Sequence, residues 1–463
     1  MTHFKGLFNQ EIKQETKQLL KLAIPLASAQ VAQALTGFFD TLMMGRLGTS
    51  TLAAGGLASI TITTLITIAG GVVMAATPLV AEAYGAGKRH RVAQITSQGL
   101  GLVLLLTLLI VILVTNTGEL LLRQALNPAN VILAKTYLDI MVWACFPALG
   151  FMLLRSVISG LSHARPIMVI VVGGTIFNIV GNYVLAFGKL GFPRWEISGL
   201  AIATVITFWG MFGALAVYMI RHPQIKTYGV FSQLIQLKPT IIGQLIKLGA
   251  PISIFLASET GLFVIVTYLM GALGTNNLAA HQIVLQTIVI IFMVPLGISY
   301  ATTIRLGQFL GKQDFLSIQR ASYLSIALGL VFNFAVAIAI LSFPQAIIGL
   351  YLDLLHPPNL PVIETAIPML TLGVVALILD GMQKIVYGAL QGLQDTKIPL
   401  LLSIPSFWGV GLSTGYLLGF SWGMGGIGLW IGQSIGSAIA AILFLKRLMI
   451  VINRLQSLSE VNK

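Results

Sequence analysis

Long apolar runs separated by short polar connections dominate the pattern of hydrophobic and polar positions along the chain. A transmembrane helix needs about 20 mostly apolar residues, and no run alternates with the period of a membrane-spanning β-strand. We therefore predict an all-α polytopic membrane protein with twelve transmembrane helices. The predicted spans cover residues 19–44, 52–82, 92–116, 134–157, 166–188, 198–220, 241–272, 277–304, 318–345, 362–390, 398–420 and 426–446.

Composition agrees with this prediction and argues against a water-soluble enzyme. The 463 residues are 56% hydrophobic and 9% charged, whereas soluble domains contain about 25% charged residues. The one cysteine, Cys145, lies in an apolar run, which excludes an intramolecular disulfide framework and a cysteine-based zinc site. The first apolar run is too long for a cleaved signal peptide, so we expect the first span to remain in the mature protein.

The net charge of +13 could suggest a nucleic-acid partner, but the basic residues lie at span ends and not in one tract. An even number of spans places both termini on one side, and all but five of the 27 Lys and Arg residues fall on that side. The positive-inside rule identifies it as the cytoplasm. We expect a multi-pass protein of the cell (inner or plasma) membrane, surrounded by the lipid bilayer, with both termini cytoplasmic and no nucleic-acid partner. The five exceptions are Arg46, Arg123, Lys135, Lys189 and Arg194.

The chain contains an internal repeat. KLAIP at 21–25 recurs as KLGAP at 247–251, and at the same offset MGRLGTSTLAA at 44–54 recurs as MGALGTNNLAA at 270–280. Each copy has six predicted spans, so both copies enter the membrane in the same orientation, related by an axis along the membrane normal. We predict an N-lobe of residues 1–225 with spans 1–6 and a C-lobe of residues 226–463 with spans 7–12. The linker is expected at about 221–240.

Three acidic residues are surrounded by apolar sequence within predicted spans: Asp40, Glu259 and Asp380. A charged carboxylate at mid-membrane costs at least ~2.5–3.5 kcal/mol, so each one is a functional hypothesis. Apolar surroundings favour the protonated form of a carboxyl, and an approaching cation favours the ionised form. Such an acid can hold a proton or Na⁺ in one state and release it to a cationic substrate in another.

Asn178 and Asn182 lie four residues apart in span 5, so their side chains share a helix face. Carboxamides donate and accept hydrogen bonds, and a pair of them can satisfy a carboxyl in either protonation state. Interhelical hydrogen bonding alone is the alternative role for this pair.

Several motifs in both halves resemble the multidrug and toxic compound extrusion (MATE) family. The resemblance implies a V-shaped pair of pseudo-symmetric six-helix lobes that exports organic cations in exchange for H⁺ or Na⁺. The acids in spans 7 and 10 are more similar to the NorM branch than to the DinF branch. The motifs are QALTGFFDTLMMGRLGTSTLAA, PLVAEAYGAGK, GLSHARPIM, SETGLF, GTNNLAAHQI and ILDGMQKIVYGALQGLQDTKIP.

The resemblance also implies roles for particular residues. Asp40 corresponds to the N-lobe acid, hydrogen-bonded to polar residues of span 5, and Asn182 stands where the DinF pattern has Asp. Glu259 and Asp380 correspond to a C-lobe cation site where Na⁺ is possible.

Two features depart from the NorM pattern at the C-lobe site. Ala376 stands where that pattern has Tyr, and Lys384 follows Asp380 on the same helix face. Lys384 can pair with Asp380 or extend its ammonium to the cytoplasmic interface. We expect the second arrangement, because only about two turns of span 10 remain.

The remaining polar candidates are secondary: Gln30, Gln33, Glu82, His281, Gln282 and Lys384. The chain has no HExxH motif and no GxxxxGK[ST] phosphate loop, so ATP-driven pumping by this chain is excluded. We expect no enzyme activity and no cofactor, and a monomeric secondary-active antiporter that exports organic, mostly cationic small molecules by alternating access.

Three other classes are rivals to the antiporter. The first is a lipid-linked oligosaccharide flippase of the same superfamily, which should line its cleft with Arg and Lys, whereas no predicted span has a basic residue at mid-depth. An ion channel is disfavoured because a two-lobed monomer offers no symmetric pore ring. A membrane enzyme is disfavoured by the missing catalytic motifs.

Overall fold

The structure is a computed structural model that describes the backbone of residues 2–125, 128–230 and 238–461 and the side chains of residues 10–116, 130–230 and 238–457. Within these ranges the chain is helical and contains no β-strand. The helices are α1 (Thr2–Leu47), α2 (Thr49–Met74), α3 (Ala76–Gly85), α4 (Arg89–Ala125), α5 (Pro128–Gly160), α6 (Arg165–Phe187), α7 (Glu196–Arg221), α8 (Pro223–Lys226), α9 (Pro239–Ala272), α10 (Thr275–Lys312), α11 (Phe315–Ser342), α12 (Pro344–Ile348), α13 (Leu360–Gly392), α14 (Lys397–Ile404), α15 (Ser413–Tyr416) and α16 (Gly425–Val461), with a 3₁₀ turn at Pro357–Asn359 and π-helical segments at Pro405–Leu412 and Leu417–Ser421.

Twelve spans in the described part of the chain are long and apolar enough to cross a membrane, judged by length and composition. Each overlaps one predicted segment, which confirms the all-α fold with twelve transmembrane helices. The first span is longer than predicted, Gln10–Leu47 against 19–44, because helical hydrogen bonding continues into polar flanks that hydropathy does not count.

The chain forms two compact units. The N-unit is Ser28–Ile254, and the C-unit is Met1–Ala27 together with Phe255–Lys463. Both changes of unit follow closely after the prolines of the repeated KLAIP and KLGAP segments, Pro25 and Pro251. The division into lobes at the 221–240 linker stays a prediction.

The two repeated MG-LGT blocks form the same turn. Gly48 precedes α2 with φ 133° and ψ 162°, and Gly274 precedes α10 with φ 109° and ψ 163°. L-residues with a side chain rarely adopt such positive φ values, so a glycine is required at both positions. The repeat is therefore present in the backbone as well as in the sequence.

Helix α5 is central to the N-unit and packs against α2, α3, α4 and α7, while α6 packs on α7. Cys145 of α5 is fully buried, as its apolar sequence context indicates. This arrangement places α5, α6 and α7 around the polar residues described below.

Helix α13 is central to the C-unit and packs against α10, α11 and α16. Its contact with α10 is close because Gly388 has no side chain: a Cβ there would lie 2.5 Å from the Ser299 carbonyl oxygen. The Ser299 hydroxyl donates to the Lys384 carbonyl oxygen at 2.7 Å. The Thr303 hydroxyl donates to the Gly388 carbonyl oxygen at 2.8 Å. These contacts fix the register of α13, and with it the positions of Asp380 and Lys384.

Gly388→Ala should therefore destabilise the C-unit by about 1–3 kcal/mol, the usual cost of overpacking a close contact. Gly101→Ala in α4 is the matched control, because a Cβ at Gly101 meets nothing within 4 Å and alanine favours helix. Thermal unfolding of both purified variants in detergent measures the difference. Equal midpoints for the two variants would contradict the close α10–α13 contact.

The start of α1 is held within the C-unit by ion pairs. Arg305 of α10 contacts Glu15 through two nitrogens, at 2.8 and 2.5 Å, and Arg320 of α11 contacts Glu11. These residues border a cavity of about 560 Å³. The pairs connect the polar beginning of α1 to α10 and α11.

Candidate functional site

The structure brings Asp40, Asn178 and Asn182 together within the N-unit. Asn182 of α6 donates its side-chain N–H groups to Asp40 Oδ1 of α1 at 2.5 Å and to Asn178 Oδ1 at 3.1 Å. Asn178 in turn donates to the Thr204 hydroxyl of α7 at 3.1 Å. Both asparagines are fully buried, so a hydrogen-bonded chain runs from the Asp40 carboxylate to α7.

Further contacts hold α1 against α6 one turn earlier. The Thr36 and Thr175 hydroxyls lie 2.9 Å apart, and Thr175 donates to the Ala32 carbonyl oxygen at 3.1 Å. Side-chain hydrogen bonds on successive turns therefore hold α1 against α6 around Asp40.

The N-unit cluster has the chemistry needed to accommodate both protonation states of Asp40. Asn182 donates to the carboxylate in this structure, and its own Oδ1 is buried with no hydrogen-bond partner. If the amide group turns over, that oxygen can accept a hydrogen bond from a protonated carboxyl. In the described part of the chain, no basic side chain lies within ion-pair distance of Asp40.

The C-unit cluster contains Glu259 of α9 and Asp380 of α13, together with Lys384. Lys384 Nζ lies 2.6 Å from Glu259 Oε2, and its side chain is 7% exposed. The expectation that Lys384 extends to the cytoplasmic interface is therefore wrong, and its ion-pair partner is Glu259, not Asp380. Helix α9 places the Glu259 carboxylate within reach of the ammonium. The ion pair compensates for the hydration that the Lys384 ammonium loses on burial.

Two aromatic side chains also lie near the Lys384 ammonium. Nζ lies 5.0 Å from the Phe255 ring centroid and 5.9 Å from that of Tyr387. The two rings stack with centroids 4.2 Å apart. An ammonium over an aromatic face is attracted by the ring quadrupole, which further favours burial of this lysine.

Asp380 lies beside a small cavity of about 180 Å³ whose lining also includes Glu259, Trp430, Gln433 and Ser437. Ser437 of α16 lies on the same cavity lining as the Asp380 carboxylate. The Gln433 Oε1 and Trp430 Nε1 atoms are buried with no hydrogen-bond partner. The cavity therefore combines a carboxylate, a hydroxyl and a free amide oxygen, which are oxygen ligands of the type that hard cations prefer.

The α16 residues of this cavity were not predicted from the sequence. Gln433 and Ser437 lie four residues apart in an otherwise apolar segment, GGIGLWIGQSIGSAIAAILF. Two polar side chains at that spacing share a helix face. This shared polar face is the feature of the sequence that could have indicated a site on α16. Ala376, where the NorM pattern has Tyr, is fully buried.

The secondary candidates lie in different surroundings. Gln33 accepts from Arg155 at 3.2 Å, whereas the Gln30 Oε1 atom is buried without a partner. Glu82 forms an ion pair with Arg91 at 3.3 Å. Gln282 is exposed.

His281 lies close to the C-unit cavity. It is 1% exposed, its Nε2 lies 3.2 Å from the Thr267 hydroxyl, and its ring centroid is 5.6 Å from that of Trp430. Its Nδ1 atom is buried without a partner. His281 therefore has a polar contact at one ring nitrogen and none at the other.

Gln33 and Glu259 occupy equivalent positions of the repeat, twelve residues after the lysines of KLAIP and KLGAP. Gln33 contacts a cation of the fourth span, Arg155, and Glu259 contacts a cation of the tenth span, Lys384. Both halves therefore join the same position of their first helix to a basic side chain of their fourth helix. In the C-unit this contact is an ion pair with an acid.

In the part of the chain described, no group of three or more His, Cys, Asp or Glu side chains is arranged to hold a metal ion. Glu259 and Asp380 are two acids, and one of them is already paired with an ammonium. A cation at this position would have to use the cavity side of the cluster.

Comparison with known proteins supports the fold and the repeat. The MatE family model matches residues 25–184 and 251–417, one segment in each half. A probable multidrug resistance protein NorM of Synechocystis sp. is 47% identical over 444 residues, 96% of this chain and 96% of the relative. A probable multidrug resistance protein NorM of Rhizobium meliloti is 35% identical, over 95% of this chain and 94% of the relative.

One solved structure is described as the outward-facing conformation of a multidrug resistance MATE family transporter of the MOP superfamily. It matches with a TM-score of 0.88 at 21% identity, covering 96% of this chain and 97% of that one. At this identity the likeness shows the fold alone. The family is shown by the sequence matches: the chain belongs to the MATE family and is a NorM-like member of it.

Proposed function

We propose that the protein is a multidrug efflux transporter that works as a secondary-active antiporter, exporting organic, mostly cationic compounds in exchange for H⁺ or Na⁺. The observation on which the proposal rests is the Asp40 carboxylate. It lies in a membrane-spanning helix, it is hydrogen-bonded by an amide, and no basic side chain of the described residues neutralises it. A carboxylate in that situation has affinity for a proton or a monovalent cation.

The relatives and the repeat support the transport part of the proposal. Two relatives, 47% and 35% identical, are named as probable multidrug resistance proteins. Two six-span repeats in the same orientation are typical of transporters that work by alternating access. In the proposed mechanism, the protein functions as a monomer in the inner or plasma membrane with both termini in the cytoplasm, as N-lobe 1–225 and C-lobe 226–463.

Asp40 and Asp380 are the proposed coupling acids, assisted by Asn178, Asn182 and Glu259. Loss of a proton or Na⁺ from Asp40 leaves a negative charge that an organic cation can neutralise, so ion and substrate compete for one carboxylate. The flippase alternative requires basic groups free to bind a diphosphate. Lys384 is neutralised by Glu259, and Arg155 contacts Gln33, so these two groups do not favour it.

Reconstitution tests the proposal directly. Purified protein in liposomes should transport ethidium, a monovalent cationic dye, when an inward H⁺ or Na⁺ gradient is imposed. This transport should stop when the gradient is collapsed. Imposing the two gradients separately identifies the coupling ion. Dye movement that is equal with and without both gradients would refute antiport.

A further inference from the structure

Lys384 is held firmly inside the C-unit. Its ammonium contacts Glu259 at 2.6 Å and lies over the Phe255 and Tyr387 rings. Its backbone carbonyl accepts a hydrogen bond from Ser299, in the helix contact that Gly388 makes possible. The Lys384 side chain is only 7% exposed, so these contacts shield most of it from solvent.

Charge counting at this cluster gives a definite result. It contains two carboxylates, Glu259 and Asp380, and one ammonium. Glu259 is paired with Lys384 at 2.6 Å, whereas none of the ion pairs among the described residues includes Asp380. When both acids are ionised, one negative charge of the cluster is therefore not balanced by an ion pair of its own, and it lies on Asp380.

The cavity lies on the Asp380 side of the ion pair. Its lining includes Glu259 and Asp380, and among the described residues it does not include Lys384. The unpartnered Gln433 Oε1 and the Ser437 hydroxyl lie on the same lining. A ligand entering the cavity thus meets Asp380 with two neutral oxygen groups, and meets Glu259 with its charge already compensated.

We infer that Lys384 is a specificity-determining residue of the C-unit site, a built-in cation that occupies the Glu259 half of it. As a result, the site accepts a single monovalent positive charge at Asp380. While the lysine is present, a Na⁺ ion cannot bridge the Glu259 and Asp380 carboxylates. The inference rests on the proposed function only in taking this cluster as a cation site. It makes Lys384 a competitor of Na⁺ for Glu259.

A purely structural ion pair is the alternative, and binding of ²²Na⁺ to purified protein in detergent separates the two. Lys384→Met removes the ammonium that pairs with Glu259. The cavity then presents two uncompensated carboxylates to Na⁺ instead of one, which should tighten Na⁺ binding at least about tenfold. Lys384→Gln should give the same gain and retains an N–H donor for Glu259, so the test does not depend on folding of the Met variant. Lys384→Arg keeps the charge and should bind Na⁺ as the unmodified protein does.

The gain should disappear when the released acid is also removed. The double variant Lys384→Gln with Glu259→Gln has the same net charge at the cluster as the unmodified protein, so its Na⁺ affinity should be no higher than that protein's. The inference is overturned if neither Lys384→Met nor Lys384→Gln binds Na⁺ more tightly than Lys384→Arg, or if the gain persists in the double variant.

Thermal unfolding gives a second readout that requires no transport. Because a ligand that binds the folded state stabilises it, NaCl should raise the unfolding midpoint of Lys384→Gln above that in choline chloride, and should have a smaller effect on Lys384→Arg. The binding experiments do not use gradients or dye. If antiport fails in liposomes while the Lys384 variants still bind Na⁺ more tightly, the proposed function is refuted and this inference stands.

Discussion

Asp40→Asn should abolish gradient-driven dye transport in proteoliposomes, with a loss of at least about tenfold, which corresponds to ~1.4 kcal/mol. The substitution preserves the size of the side chain and its hydrogen bonding to Asn182, but an amide cannot bind and release a proton or attract Na⁺. The fold should be little affected, because no ion pair to Asp40 is lost. Initial rates of ethidium transport under imposed H⁺ and Na⁺ gradients measure the effect.

Glu364→Gln is the matched control for this experiment. Glu364 is an exposed acid at the beginning of α13, and its substitution also exchanges a carboxylate for an amide. Its transport rate should equal that of the unmodified protein. A rate for Asp40→Asn that matches Glu364→Gln would show that the N-unit cluster has no part in coupling.

Glu259→Gln should destabilise the protein by about 3–5 kcal/mol, the usual result of removing one partner of a buried ion pair. The Lys384 side chain is 7% exposed, so its ammonium would lose its contacting carboxylate in surroundings that include the Phe255 and Tyr387 rings. A large decrease in the thermal unfolding midpoint in detergent is the expected measurement, together with reduced yield of folded protein.

A second substitution should repair this defect. Lys384→Met added to Glu259→Gln removes the stranded ammonium, and replacement of a buried ion pair by apolar or neutral groups is often close to neutral in stability. The double variant should therefore recover most of the lost stability. If Glu259→Gln alone unfolds at the same temperature as Glu364→Gln, the ion pair does not exist in the folded protein.

The spans could be predicted because a membrane imposes one simple requirement. Every backbone N–H and C=O group in the hydrocarbon layer must be hydrogen-bonded within the protein, and a run of about 20 apolar residues is then sufficient evidence for a helix. The same reasoning made the few acids inside the spans conspicuous. The contact between Asp40 and Asn182 was also foreseeable, since it follows from the family resemblance and from the one-turn spacing of the two asparagines.

The partner of Lys384 could not be predicted in this way. Within its own helix, the nearest acid is Asp380, four residues earlier, and sequence spacing therefore suggested either that pair or exposure at the interface. The actual partner, Glu259, belongs to α9 and lies at 2.6 Å. Only the packing of α9 beside α13 shows which acid the ammonium reaches.

The Asp380 surroundings depended equally on tertiary structure. Gln433, Ser437 and Trp430 come from α16, far from Asp380 in sequence. In the sequence alone, nothing distinguishes these three residues from the other polar residues of the chain. They become informative in the structure, because Gln433 Oε1 and Trp430 Nε1 are buried beside a cavity without a hydrogen-bond partner.

The sequence by itself determined the membrane-spanning fold, the duplicated frame and the three acids within the spans, because hydropathy, repeat spacing and the cost of buried charge all act locally along the chain. Which of those acids remains unneutralised was decided by the tertiary structure alone. Electrostatic interactions depend on distances between helices. Those distances leave Asp40 beside an amide, pair Glu259 with Lys384, and leave Asp380 facing a cavity.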